Sequence, residues 1–90
     1  MKIKQGFALK QIAGNWVVLP LGEKTIDFTG MLKLNESGRM LWQHLEKGCS
    51  RSDLANALVS EYEVSYDQAL ADTDEYLEKL TLAGCIDEEE

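Results

Sequence analysis

At 90 residues, 44% apolar and 28% charged, the chain reads as one globular domain with a modest core. Its formal net charge of −7 opposes the counterion-releasing contacts on which nucleic-acid affinity depends. No stretch approaches the roughly 18 apolar residues of a membrane span, and "MKIKQGFALKQIAG" lacks a secretion signal, so the cytoplasm is the expected location.

The elements fall into two halves, three strands and then three helices. In "GFALKQIAGNWVVLPLG" two β-rich runs flank Gly14-Asn15, a pair suited to the positive φ angles of a two-residue hairpin turn. That turn would make opposed residue numbers sum to 29, setting Ile12 against Val17 and Lys10 against Leu19. Phe7, Leu9, Trp16 and Val18 would then share one face. "WVVLPL" is apolar on both faces, as a middle strand is, and Pro20 sits near its end. "TIDFTGMLKL" follows as a long alternating third strand. Ile26, Phe28, Gly30, Leu32 and Leu34 lie on one side of it, and Thr25, Asp27, Thr29, Met31 and Lys33 on the other. Gly30 suits a bend or bulge.

Asn35 caps a first helix that Gly48 stops, with Leu41, Trp42 and Leu45 at core spacing. Ser50 opens a second, with Asp53 as capping-box partner and Leu54, Leu58 and Val59 as its apolar stripe. Ser65 opens a third, with Gln68 to complete another box and Val64 to pack on Ala69 as a staple. This helix runs through Leu70, Thr73, Leu77 and Leu80 to Gly84. The expected strands are 6–13, 16–21 and 25–34, and the helices 36–47, 51–62 and 66–83. This is an α+β, winged-helix-like fold, a three-stranded antiparallel sheet (6–34) followed by a three-helix bundle (35–84). "DEEE" at 87–90 reads as a frayed acidic tail.

No catalytic constellation emerges. His44 is the single histidine and has no activated Ser or Cys beside it. The serines sit mostly where caps and turns belong, and no glycine-rich phosphate loop occurs. Cys49 and Cys85 have no metal-type spacing and read as reduced thiols. Asp72, Asp74, Glu75 and Glu78 are spread around a helix, as on a solvated face. The expectation is a protein without catalytic residues, cofactor or metal.

Two longer stretches carry a resemblance. "LKLNESGRMLWQHLEKGCSRSDLANALVSEYEV" and "ALADTDEYLEKLTLAGCI" are similar in order and spacing to the coenzyme PQQ synthesis protein D (PqqD) family. The likeness covers about residues 6 to 86, with the family's last-helix pattern falling on Asp72, Tyr76, Leu77, Leu80 and Gly84. Thr73 departs from it, standing where the family usually has an aliphatic residue. The acidic excess is also unusual for members of the PQQ pathway. Members are peptide-binding domains, also called RiPP recognition elements after ribosomally made, post-translationally modified peptides. The resemblance implies a non-catalytic peptide chaperone. It would bind the leader of a precursor peptide and present it to a modifying enzyme, often a radical S-adenosylmethionine (SAM) enzyme. The leader would add as a strand to the third strand's free edge, in a groove walled by the third helix.

Physical reasoning points the same way with less detail. A long strand edge is ordinarily blunted, and here only Asp27 and Lys33 do so. Such an edge gives a peptide main-chain hydrogen bonds, while neighbouring pockets give sequence preference. The candidate peptide-binding residues are Thr25, Asp27, Thr29, Met31 and Lys33 on the strand, with Ala69, Asp72, Thr73 and Tyr76 on the helix. Met31 and Tyr76 suit the core equally well, and Asp72 suits plain helix surface. Two other readings share the fold. One is an adaptor binding a folded protein. The other is a winged-helix DNA binder, whose recognition helix would carry Asp67, Asp72, Asp74 and Glu75 towards phosphates that repel them. Both monomer and homodimer are compatible with the sequence.

Overall fold

The structure, a computed structural model, describes residues 1–21 and 32–87. Residues 22–31, which include Thr25, Asp27, Thr29, Met31 and the Gly30 bend, lie outside the described residues, as does the tail from 88 to 90. The described elements are β1 (Lys2–Ile3), β2 (Phe7–Ile12), β3 (Asn15–Pro20), β4 (Leu32–Leu34), α1 (Glu36–Lys47), α2 (Arg51–Glu61), α3 (Tyr66–Leu82) and β5 (Ile86–Asp87). The main sheet is antiparallel in the order β2-β3-β4, and three helices follow it. This is the α+β arrangement expected from the sequence.

The hairpin register differs from the expected one by two residues. Opposed residue numbers sum to 27, pairing Ile12 with Asn15 and Phe7 with Pro20. The turn is therefore Ala13-Gly14, both at positive φ (52° and 81°), as this tight turn demands. Pro20 supplies the physical reason. Narrow hydrogen-bonded pairs alternate with wide ones, starting at the pair that flanks the turn. In the expected register Pro20 would face Leu9 in a narrow pair, where a donor is needed and proline has none. In the observed register it faces Phe7 in a wide pair. The next pair bonds as the alternation requires, Leu21 N–H donating to the Gly6 carbonyl at 2.7 Å. A shift of two leaves every side chain on its face. Val18 is accordingly buried, with Phe7, Leu9 and Trp16 packed around the core beside it.

The helix caps follow the sequence closely. Asn35 Oδ1 accepts from Gly38 N–H at 2.8 Å, and Ser50 and Asp53 form the complete capping box. At Ser65 half of the expected box forms: its Oγ accepts from Gln68 N–H, but the Gln68 side chain reaches forward to Asp72 Oδ1 instead. An i,i+4 bond along the helix surface has won over the return to the cap. Gly48 and Gly84 close α1 and α3 at positive φ.

Trp42, Leu45, Leu54, Leu58 and Leu80 are buried together, with Leu77 half-buried beside them. A second, two-stranded sheet was not foreseen. β1 pairs with β5, setting Lys2 against Asp87 and Ile3 against Ile86. Lys4 N–H donates to the Cys85 carbonyl, and Met1 exchanges two hydrogen bonds with Cys49. Strands of two residues leave no periodic signal, so only tertiary pairing defines them.

Two positions give stability predictions. Ala13 occupies left-handed backbone, which costs an L-residue with a Cβ roughly 1–2 kcal/mol. Asn tolerates this region, so Ala13→Asn should raise stability by about 0.5–1 kcal/mol, read from the denaturant midpoint. Thr73 is fully buried, and among the described residues its hydroxyl has no hydrogen-bond partner. Thr73→Val replaces that hydroxyl with a methyl of similar shape. A gain of about 1–3 kcal/mol in chemical denaturation is expected.

Candidate functional site

β4 is short, but what it offers on each side can be derived. The alternation fixed at Gly6 and Leu21 continues through β3. It points the N–H and C=O groups of Asn15, Val17 and Leu19 at β2, and those of Trp16 and Val18 at β4. Trp16 faces Leu34 and Val18 faces Leu32, so these are the narrow pairs of the second ladder. Lys33, opposite Val17, must then turn its own N–H and C=O away from β3. No described strand pairs with that outer edge.

Beside this edge lies a cleft of about 660 Å³. Lys33, Leu34 and the Asn35 cap form one wall; Asp72, Glu75, Tyr76 and Lys79 of α3 form the other. Leu41 of α1 and Leu58 of α2 make its apolar floor. The α3 residues fall at i, i+3, i+4 and i+7, which is one helix face.

Tyr76 joins the walls. Its hydroxyl donates to the Gly38 carbonyl at 2.8 Å, across 38 residues of sequence. The approach depends on Gly38, where an added Cβ would meet Asn35 Oδ1 at 3.2 Å, Leu34 Cβ at 3.3 Å and Tyr76 Cε1 at 3.4 Å. Tyr76 therefore resolves the two roles open to it by filling both: half-buried against the core, it also lines the cleft. Above the cap, Trp16 Nε1 donates to Glu36 Oε1 at 2.9 Å. Arg39 pairs with the other oxygen of Glu36 at 2.6 Å and lies over the Trp16 ring, 5.5 Å from its centroid. The sheet is thus fastened to the first turn of α1, which holds β4 at its distance from α3.

Of the residues expected from sequence, the structure brings together Lys33, Asp72 and Tyr76. Ala69 and Thr73, expected on the groove wall, are instead fully buried among core residues and do not reach the cleft. They lie on the stripe of α3 that also carries Leu80, one helical face inward from Asp72 and Tyr76. Thr25, Asp27, Thr29 and Met31 lie outside the described residues. Lys79 and Gly38 were missed. The i, i+3, i+4, i+7 spacing from Asp72 could have supplied Lys79; Gly38 had no such signal. The acidic group on α3 divides, since Asp74 is taken by Arg51 of α2 at 2.5 Å while Asp72 and Glu75 face the cleft.

Burial, and secondarily the negative charge that Cys85 would carry, pushes the Tyr76 phenol well above its ordinary value near 10. The folded chain therefore favours the protonated phenol, while the unfolded chain ionises it near pH 10. Its stabilising contribution is complete below that pH and is lost as pH rises above it. Tyr76→Phe should cost about 1 kcal/mol at neutral pH through the lost bond to Gly38. Its alkaline loss of stability should also be shallower than that of the parent, in denaturation curves taken from pH 8 upwards.

Comparison with known proteins bears on the family and the fold. The sequence model of the family described as "Coenzyme PQQ synthesis protein D (PqqD)" matches residues 15–86. Among curated proteins nothing matches the chain. Two solved structures are similar. One is a lasso peptide synthetase B1 complexed with the leader peptide, at 26% identity over 93% of each chain, with a TM-score of 0.74. The other is TbiB1 in complex with the TbiA(beta) leader peptide, at 22% identity over 100% of this chain and 99% of that one, with a TM-score of 0.79. At that identity the second likeness speaks for the fold alone. With the family model spanning most of its length and the sheet-then-helices order in place, the chain belongs to the coenzyme PQQ synthesis protein D (PqqD) family.

Proposed function

We propose that this chain is a non-catalytic peptide-binding protein of the cytoplasm. It takes the leader of a ribosomally made precursor as an added strand beside β4 and presents that precursor to a modifying enzyme. The observation that carries the reading is the outward N–H and C=O of Lys33 on an edge that opens onto a cleft walled by α3. Strand addition requires an unpaired edge for affinity and side-chain pockets for choice. Among the described residues the outer edge at Lys33 has no strand partner and lies beside the cleft. The similar structure at 26% identity, described with a leader peptide bound, supports the same use of the fold. Among the described residues no helix is long and apolar enough to cross a membrane.

Presentation needs no chemistry from this chain. Binding the leader raises the effective concentration of the rest of the precursor at the enzyme. The partner enzyme is either a radical SAM enzyme, as the family likeness implies, or a peptide synthetase component of the kind named for the similar structure. Co-purification with each class distinguishes them.

The edge can be tested at Lys33. Proline there removes the outward donor but none of the bonds to β3, which belong to Leu32 and Leu34. Lys33→Pro should weaken leader binding about tenfold in calorimetric titration. Circular dichroism and the melting midpoint should stay near those of the parent. Unchanged affinity in a folded variant would refute strand addition at this edge.

A further inference from the structure

The charged residues of the cleft are ordered. Along α3 its wall runs from acidic Asp72 and Glu75, past Tyr76, to basic Lys79, with Lys33 across the gap. Among the described residues Glu75, Lys79 and Lys33 have no ion-pair partner, although Glu75 and Lys79 are four apart on one helix. Asp72 accepts one bond from the neutral Gln68 amide and keeps its charge uncompensated. By contrast Asp74, turned about 100° from Glu75 around the helix, is already paired with Arg51. The unpaired charges of α3 thus include a set aligned along the cleft, negative at one end and positive at the other.

A strand lying along α3 converts that order into a spacing on the bound peptide. Glu75 and Lys79 are separated by about 6 Å of helix rise. Side chains on one face of an extended peptide recur every second residue, at about 6.6 Å. We propose that the cleft selects its leader by charge order: a basic side chain against Asp72 and Glu75, and an acidic one two positions away against Lys79. The aliphatic stem of the basic residue would rest on Tyr76 between the two ends. The inference rests on the strand-addition reading above and adds to it a class of ligand, a peptide of fixed charge polarity. A leader with the two charges exchanged would meet like charge at both ends.

The probe is a displayed library of random ten-residue peptides, selected at low salt on the whole protein. A parallel selection uses the polarity-reversed variant carrying Asp72→Lys, Glu75→Lys and Lys79→Glu. The parent should enrich peptides with Lys or Arg and Asp or Glu two positions apart, in one order. The reversed variant should enrich the opposite order. A synthetic peptide from the parent selection should bind about three- to tenfold tighter than its charge-exchanged twin. This preference should shrink in 1 M salt, where the Debye length is about 3 Å. Should the triple variant not fold, Lys79→Glu alone should lose the acidic preference and keep the basic one. Enrichment without charge order, or with the same order on both proteins, overturns the charge inference and leaves peptide capture standing. No enrichment on the parent overturns the strand-addition reading itself.

Discussion

Hydrogen-bond alternation across β3 decides what β4 can offer on its far side. Each β3 residue turns its backbone polar groups towards one neighbour only, so the phase set at the Ala13-Gly14 turn is transmitted across the sheet. That phase is held at the other end of the hairpin by Leu21 bonding to Gly6, and between them by Pro20, which tolerates only a wide pair with Phe7. The consequence at the third strand is that Lys33 faces outwards while Leu32 and Leu34 are occupied. A hairpin in the other phase would have offered Leu32 and Leu34 to a ligand and consumed Lys33. Which groups β4 turns outwards is therefore specified by residues a whole strand away from it.

An edge alone would pair with almost any extended chain, including another copy of this one. Beside it stands the cleft wall, and that wall depends on one close approach. Gly38 admits the Tyr76 ring to the first turn of α1, where the phenol bonds a carbonyl already inside a capped helix. Trp16, Glu36 and Arg39 secure the sheet to the same turn from the other side. Both fastenings meet where β4 becomes α1. The distance from strand edge to α3 is thus set by short-range contacts rather than by loops.

Legibility in the sequence followed the range of the interaction responsible. Asn35, Ser50, Asp53 and Ser65 were readable because a cap is settled within four residues. Leu54, Leu58 and Leu80 were readable because helical periodicity repeats the same instruction along each element. The hairpin was misread by two residues because Gly14 and Asn15 both tolerate positive φ, whereas the chain places Ala13 there; Pro20 held the information that decides the register. Ala69 and Thr73 were assigned to the cleft because they lie one helical step from its true lining, a rotation that only packing against α1 and α2 determines. The β1–β5 pair could not be read at all, since a two-residue strand exists only through its distant partner.

The same range argument bears on charge. A net charge of −7 argues against phosphate and says nothing about where each carboxylate points. On α3 the neighbours Asp74 and Glu75 are one residue apart, yet a helical step of about 100° sends one to Arg51 and the other into the cleft. Solvated surface and cleft wall are therefore interleaved along a single helix. Composition averages over that interleaving, whereas the fold separates it, and the residue carrying the separation is Arg51. By neutralising Asp74 it leaves Asp72 and Glu75, rather than the helix as a whole, to set the negative end of the cleft.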